Sequence, residues 1–122
     1  MNFISTRNTA PAATLSQAIA AGLAPDGGLY VPDVLPAPRE LAAGDDIAST
    51  AATLLAPFFA GDALEGELAA ICREAFDFPA PLRPLGTPDD HVLELFHGPT
   101  AAFKDFGARF LAASIARVRR NE

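Results

Sequence analysis

The stretch "HVLELFHGPTAAFKDFGARF", residues 91–110, decides how the rest of the chain is read. Val92, Leu93, Leu95 and Phe96 favour extended backbone, so 91–96 is expected to form a strand. "HGPT" interrupts it as a turn, with Thr100 placed to cap a helix. Phe103, Phe106, Phe110, Leu111, Ser114, Ile115 and Val118 follow at helical spacing and predict that helix's buried face. A strand that feeds a helix through a Gly-Pro turn opens an α/β sheet unit, and the remaining strands of such a sheet do not follow within 122 residues. The expectation is the front part of a longer polypeptide.

Upstream, the elements are short. "NFIST" (2–6) suits a strand. "TLSQAIAAG" suits a helix, with Thr14 and Gln17 as a capping box and Gly22 at its end. Residues 24–38 carry Asp-Gly-Gly, one extended piece, "LYV", and then Pro32, Pro36 and Pro38, and predict a surface connection. Ile47, Ala51, Leu54, Leu55, Phe58 and Phe59 share one helix face, with Pro57 expected to break or kink the last turn. Asp62 and Glu65 form a second capping-box pattern ahead of a helix carrying Leu68, Ile71, Cys72, Ala75 and Phe76. A proline-rich connector, 77–86, has room for a short strand near Leu82–Leu85. The fold class that follows is α/β: a small, mostly helical subdomain with a short-stranded sheet over 1–88, then the first strand and helix of a second, truncated domain over 89–122.

Bulk composition narrows the function classes. Half of the residues are hydrophobic and the net charge is −6, which argues against a nucleic-acid surface, since phosphate binding requires clustered cations. Arg117, Arg119 and Arg120 are the dense basic group, and at a helix C-terminus they complement the dipole. Cys72 is the single cysteine, which excludes an internal disulfide and suits a reducing, cytoplasmic setting; its apolar helical context predicts an inert buried thiol. No stretch approaches the ~20 apolar residues of a membrane span, and no signal peptide is evident. Glu65, Glu67 and Glu74 fit a solvated helix face. His91, His97, Asp89 and Asp90 do not make a metal site, because six residues of strand separate the histidines by about 20 Å.

Lys104 is the residue that carries chemistry. A helix N-terminus disfavours an ammonium, and Phe103 and Phe106 bracket it with apolar surface, which disfavours the charged form. Those conditions produce a lysine able to act as base, nucleophile or Schiff-base former. Asp105 acts in the opposite sense, since an adjacent carboxylate favours the cation. On the residues alone, Lys104 is either such an amine or a solvated helix residue.

Here the sequence resembles a family. "ELFHGPTAAFKDFG" (94–107) is similar to the lysine-bearing motif of threonine synthases, pyridoxal-phosphate enzymes of the type II fold. "STR" (5–7), "GLAPDGGLYVP" (22–32) and "AFDFPAP" (75–81) resemble further segments of that family in the same order. Ala101 stands where the family is often bulkier. The resemblance implies that Lys104 holds pyridoxal phosphate as a Schiff base and acts as the catalytic base. It implies that Phe103 packs beside the cofactor, and that Thr100 and His97 lie close to cofactor or substrate. The reaction implied converts O-phospho-L-homoserine and water to L-threonine and phosphate. In this family the loop for the cofactor phosphate lies downstream of the lysine, and "DGG" at 26–28 reads as a turn rather than a substitute. The 122-residue chain is therefore expected to be inactive without the missing C-terminal part, and to self-associate through the uncovered face of its last helix. Two alternatives remain open: a phospho-lyase of this type acting on a related substrate, and a non-catalytic interaction module.

Overall fold

The computed structural model describes residues 1–38, 40–41 and 46–120. Its elements run β1 (Phe3–Ser5), α1 (Leu15–Ala21), β2 (Tyr30–Pro32), α2 (Ile47–Phe59), a 3-10 turn at Glu65–Glu67, α3 (Leu68–Ala75), β3 (Leu82–Pro84), β4 (His91–Leu93) and α4 (Lys104–Val118). The strands form two separate antiparallel pairs. β1 pairs with β2, matching Phe3 with Pro32 and Ser5 with Tyr30, and β3 pairs with β4, matching Leu82 with Leu93 and Pro84 with His91. The class is mixed helix and strand, as the sequence predicted.

Helix starts follow local chemistry. The Thr14–Gln17 capping box closes both ways: Gln17 N–H donates to Thr14 Oγ1 and Thr14 N–H donates to Gln17 Oε1. Asp46 caps α2 by accepting from Ser49 N–H at 2.7 Å. That helix continues through Pro57 and stops at Phe59. The expected Asp62–Glu65 capping box does not close: Asp62 accepts from Leu64 N–H and Glu65 from Gly61 N–H, and the 3-10 turn itself has no side-chain cap. The other Asp62 oxygen accepts from Ser16 N–H and Oγ–H, so this one carboxylate also fixes the start of α1.

The core lies between α2, α3 and α4, with β1 and α1 along one side. Leu64, Ile71 and Cys72 are fully enclosed, and Phe3, Leu15, Ala48, Phe59, Leu68, Ala113 and Val118 are buried around them. Phe110 links α4 to both neighbours, edge-on to Phe59 at 6.1 Å and stacked on Phe76 at 5.8 Å. Cys72 is buried as expected, and burial raises its thiol pKa, which suits an inert role.

Three expectations are corrected. The strand at 91–96 is confined to His91–Leu93, because it pairs with β3 in a small exposed hairpin and not with a buried parallel sheet. Phe103 and Leu111 are exposed, so the buried face of α4 is narrower than its apolar pattern suggested. Glu67 and Glu74 do not simply face solvent: both accept from Arg117, at 3.1 and 2.8 Å. Arg117 is itself buried and donates again to the Ala113 carbonyl, so it ties α4 to α3 in addition to sitting at a helix end.

Candidate functional site around Lys104

Lys104 is the first residue of α4, and the turn before it is closed by Asp105. Gly98 C=O accepts from Ala101 N–H at 3.1 Å, and Ala102 C=O accepts from Asp105 N–H at 3.0 Å. Between them Ala101 adopts φ 55°, a left-handed conformation that stops the helix from beginning earlier. The Asp105 carboxylate folds back over this turn. It accepts from Thr100 Oγ1–H at 2.6 Å through one oxygen and from Thr100 N–H at 2.9 Å through the other.

That closure depends on glycine at 98. A Cβ there would fall 2.5 Å from Asp105 Oδ2 and 2.7 Å from Asp105 Cβ, with no flexible side-chain end to yield. Asp105 is only 5% exposed, yet its carboxyl is held below the usual carboxylate range. The Thr100 hydroxyl is the main cause; burial opposes it, while the Thr100 and Ala102 N–H groups and the Arg109 charge reinforce it. The same charge lies in the first turn of α4, where an anion complements the helix dipole.

The Asp105 carboxylate is turned into the loop and engaged with Thr100. Lys104 is exposed, and among the described residues no carboxylate forms an ion pair with it. Phe103 beside it is 65% exposed, as an aromatic surface next to the amine. Thr100 does not cap α4 as expected: its hydroxyl donates to a carboxylate and accepts no helical N–H, because the left-handed Ala101 delays the helix by a turn. The His97 ring lies tilted by 32° against Phe96 with ring centres 4.6 Å apart, and its Nε2 lies 2.7 Å from Glu94 Oε2. A carboxylate only accepts, so Nε2 carries the hydrogen. Arg83 Nε is 3.8 Å from the other Glu94 oxygen.

His91 Nδ1 lies 3.3 Å from the Asp89 carbonyl oxygen. Among the described residues no group of three or more His, Cys, Asp or Glu side chains gathers as metal ligands. Hollows of about 510 Å³, lined by Ser16, Gln17, Leu64 and Val118 among others, and about 360 Å³, lined by Phe3, Leu15, Phe58 and Phe110 among others, do not include Lys104. Lys104 thus stands on open surface next to an ordered turn.

A second cluster was not foreseen. Asp26 accepts from Ser5 Oγ–H, Gly28 N–H, Thr9 N–H, Thr9 Oγ1–H and Ala10 N–H, at 2.6 to 3.1 Å. Its carboxyl is held far below the normal range, chiefly by the Ser5 hydroxyl. Arg7 donates to the Asp26 carbonyl at 2.9 Å. "STR" and "DGG" are therefore one structural unit, and the available signal was that each motif contains the partner the other needs. A Cβ on Gly28 would lie 2.1 Å from Ser5 Oγ, which explains glycine there. Gly27 N–H donates to the Ala24 carbonyl and Gly28 N–H to Asp26, so neither amide of this turn is left to bind a phosphate.

Comparison with known proteins matches the chain and its fold to one family. Residues 2–76 match the family described as threonine synthase N terminus. The threonine synthase of Pseudomonas aeruginosa is 42% identical over 97% of this chain, which spans 27% of that protein. The Haemophilus influenzae enzyme is 37% identical over 98% of the chain and 28% of its own length. Among solved structures, pyridoxal-phosphate-bound threonine synthase from Brucella melitensis superposes with a TM-score of 0.84 at 37% identity, over the whole chain and 28% of that structure. The Escherichia coli enzyme gives the same TM-score at 32% identity, over the whole chain and 29% of that structure. The chain thus spans little more than a quarter of the length of the relatives it matches. Among the described residues no helix is long and apolar enough to cross a membrane.

Proposed function

The chain belongs to the threonine synthase family through its N-terminal region, and on that premise we propose that it is the lysine-bearing portion of a pyridoxal-phosphate-dependent lyase. The reaction converts O-phospho-L-homoserine and water to L-threonine and inorganic phosphate, in a soluble cytoplasmic enzyme. Lys104 is the amine that holds the cofactor, and the observation that carries this reading is its placement. It is exposed at the first residue of α4, beyond a turn held shut by the Thr100–Asp105 bonds.

The residues present fit one end of such a cofactor. An aldehyde needs a reachable amine that is not consumed by an ion pair, and Lys104 meets both conditions among the described residues. Phe103 supplies aromatic surface beside it. The cofactor phosphate has no counterpart in the Asp26–Gly28 turn, whose amides are spent internally. Its ligands belong to the remainder of the enzyme, with residues 89–122 as the entry to a cofactor domain of the type II fold and 1–88 as the subdomain packed beside it.

When bound, pyridoxal phosphate supplies an aldehyde for amines and a ring that accepts the electron pair left at the substrate α-carbon. The chain's own groups do the rest. Uncharged, Lys104 Nζ takes the proton from the substrate α-carbon and returns it. Thr100 and His97 flank the same turn and serve on the substrate side, with His97 held through Nε2 by Glu94 and its Nδ1 left over from that pair. The test is turnover in the protein as its gene encodes it. Purified protein should release phosphate and L-threonine from O-phospho-L-homoserine in equal amounts, and Lys104→Ala should abolish both. The 122-residue chain alone should release neither. Faster turnover of another phosphorylated amino alcohol would reassign the substrate, and equal activity in Lys104→Ala would remove the lysine from the reaction.

A further inference from the structure

Asp105 lies directly after the proposed cofactor lysine, but its carboxylate points away from solvent and into the turn. It is 5% exposed and bonded twice to Thr100, and it packs so closely over Gly98 that a Cβ there would force it to shift. Both ends of this brace are short. Thr100 lies four residues before Lys104 and Asp105 one residue after, so the bonds span the lysine and fix the backbone from which its side chain springs. Ala101 in its left-handed conformation shows that the turn is held in a shape the chain would not adopt spontaneously. An aspartate whose purpose was to neutralise the neighbouring ammonium would turn toward it. This one is committed elsewhere, and α4 is anchored separately by Arg109 and Arg117. Arg109 donates to the Ala75 and Glu74 carbonyls and pairs with Asp77 at 2.8 Å, so helix docking does not depend on Asp105.

We propose that Asp105 is a positioning residue for Lys104: acting through Thr100, its carboxylate fixes the turn at 98–103 and sets the direction in which the lysine amine meets the cofactor. The inference rests on the reading of Lys104 as the cofactor lysine. It separates two demands that conflict at one point of the chain. The amine must stay free of a carboxylate so that it can lose its proton, while the backbone beneath it needs an anion at the start of the helix. Turning the carboxylate back onto Thr100 satisfies both.

The experiment compares the unsubstituted protein, as its gene encodes it, with Asp105→Asn, Thr100→Val and Thr100→Ser, each loaded with pyridoxal phosphate and without amino-acid substrate. The readout is circular dichroism in the cofactor's visible absorption band, divided by the cofactor bound, because that signal reports a fixed orientation and not the amount of folded protein. Leaving substrate out removes any direct contact between Thr100 and substrate. Asp105→Asn and Thr100→Val should lose most of the signal per bound cofactor, and Thr100→Ser, which keeps the hydroxyl, should retain it. In turnover, Thr100→Val should lower kcat by about 10- to 100-fold, the usual effect of loosening a reacting group. If Asp105→Asn does not fold, Thr100→Val carries the test. An unchanged signal in Thr100→Val overturns the proposal even if melting temperature falls, since that pattern describes a purely structural bond. Failure of the underlying reading looks different: the unsubstituted protein itself would bind no cofactor at Lys104, and the positioning role would fall with it.

Discussion

Asp26 and Asp105 each sit where a turn must be held without help from a helix or sheet, and both carboxyls are held below their normal range by hydroxyl and N–H donors. Linkage fixes the sign of the consequence. A carboxylate with a depressed folded-state pKa stabilises the protein above its unfolded value, 3.8 for Asp26, and that stability is lost as pH falls toward the folded value. The difference between urea midpoints of the unsubstituted protein and of Asp26→Asn should therefore hold from neutral pH to about pH 4 and narrow progressively below it. A gap that stays constant from pH 7 to pH 3 would mean that the Asp26 bonds do not depend on its charge. Gly98→Ala tests the other turn. A methyl group against Asp105 should cost about 1–3 kcal/mol as an overpacked contact and reduce cofactor capture at Lys104, measured by denaturant titration and absorbance. Gly86→Ala, where a Cβ would meet open space, serves as the neutral comparison.

Helix α4 is held to α3 by two arginines that act differently. Arg109 donates to the carbonyls at the end of α3, while Arg117 bridges Glu67 and Glu74 from a buried position. Removing Arg117 leaves two carboxylates that water can still reach, so Arg117→Ala should cost about 1–2 kcal/mol rather than the larger penalty of a stranded buried charge. Arg119→Ala, on the exposed side, should stay within about 0.5 kcal/mol. Equal melting temperatures for the two variants would contradict the bridge. The elements themselves were legible where a cap or a periodic face defined them: α1 from Thr14 and Gln17, α2 from Asp46 and its apolar face, α3 from Ile71 and Cys72. Contacts distant in sequence were not. Glu67 and Glu74 read as a solvated face because their partner lies on another helix, and the strand at 91–96 shortened because its partner among the described residues is a three-residue hairpin strand.

At the scale of the whole molecule, the apolar surface that stays uncovered is not the one expected from periodicity. Phe106, Phe110 and Ile115 are half-buried, the first two among aromatic neighbours, whereas Leu82 and Leu93, partners across the β3–β4 ladder, are 60% and 53% exposed with Phe96 and Phe103 nearby in sequence. The 122-residue chain studied alone should associate through this surface, and Leu93→Ser with Phe103→Ser should shift its sedimentation toward the monomer. A monomer at every concentration before substitution would count against that. The motif around Lys104 stands out in the sequence because its residue types are adjacent. Asp105 was read only as a neighbour that favours the charged form of Lys104, because sequence shows adjacency and not the direction in which a carboxylate turns. Thr100 was misread as a helix cap because nothing in the residue types announces a left-handed alanine at 101.

The central claim is that Lys104 is the amine that binds pyridoxal phosphate. The most direct measurement is borohydride reduction of the cofactor-loaded protein, encoded as its gene gives it, followed by peptide mass mapping. The account predicts a single pyridoxyl adduct on the peptide that contains Lys104, absent from Lys104→Ala. Label confined to the N-terminal amine, or no adduct at Lys104 at saturating cofactor, would contradict it.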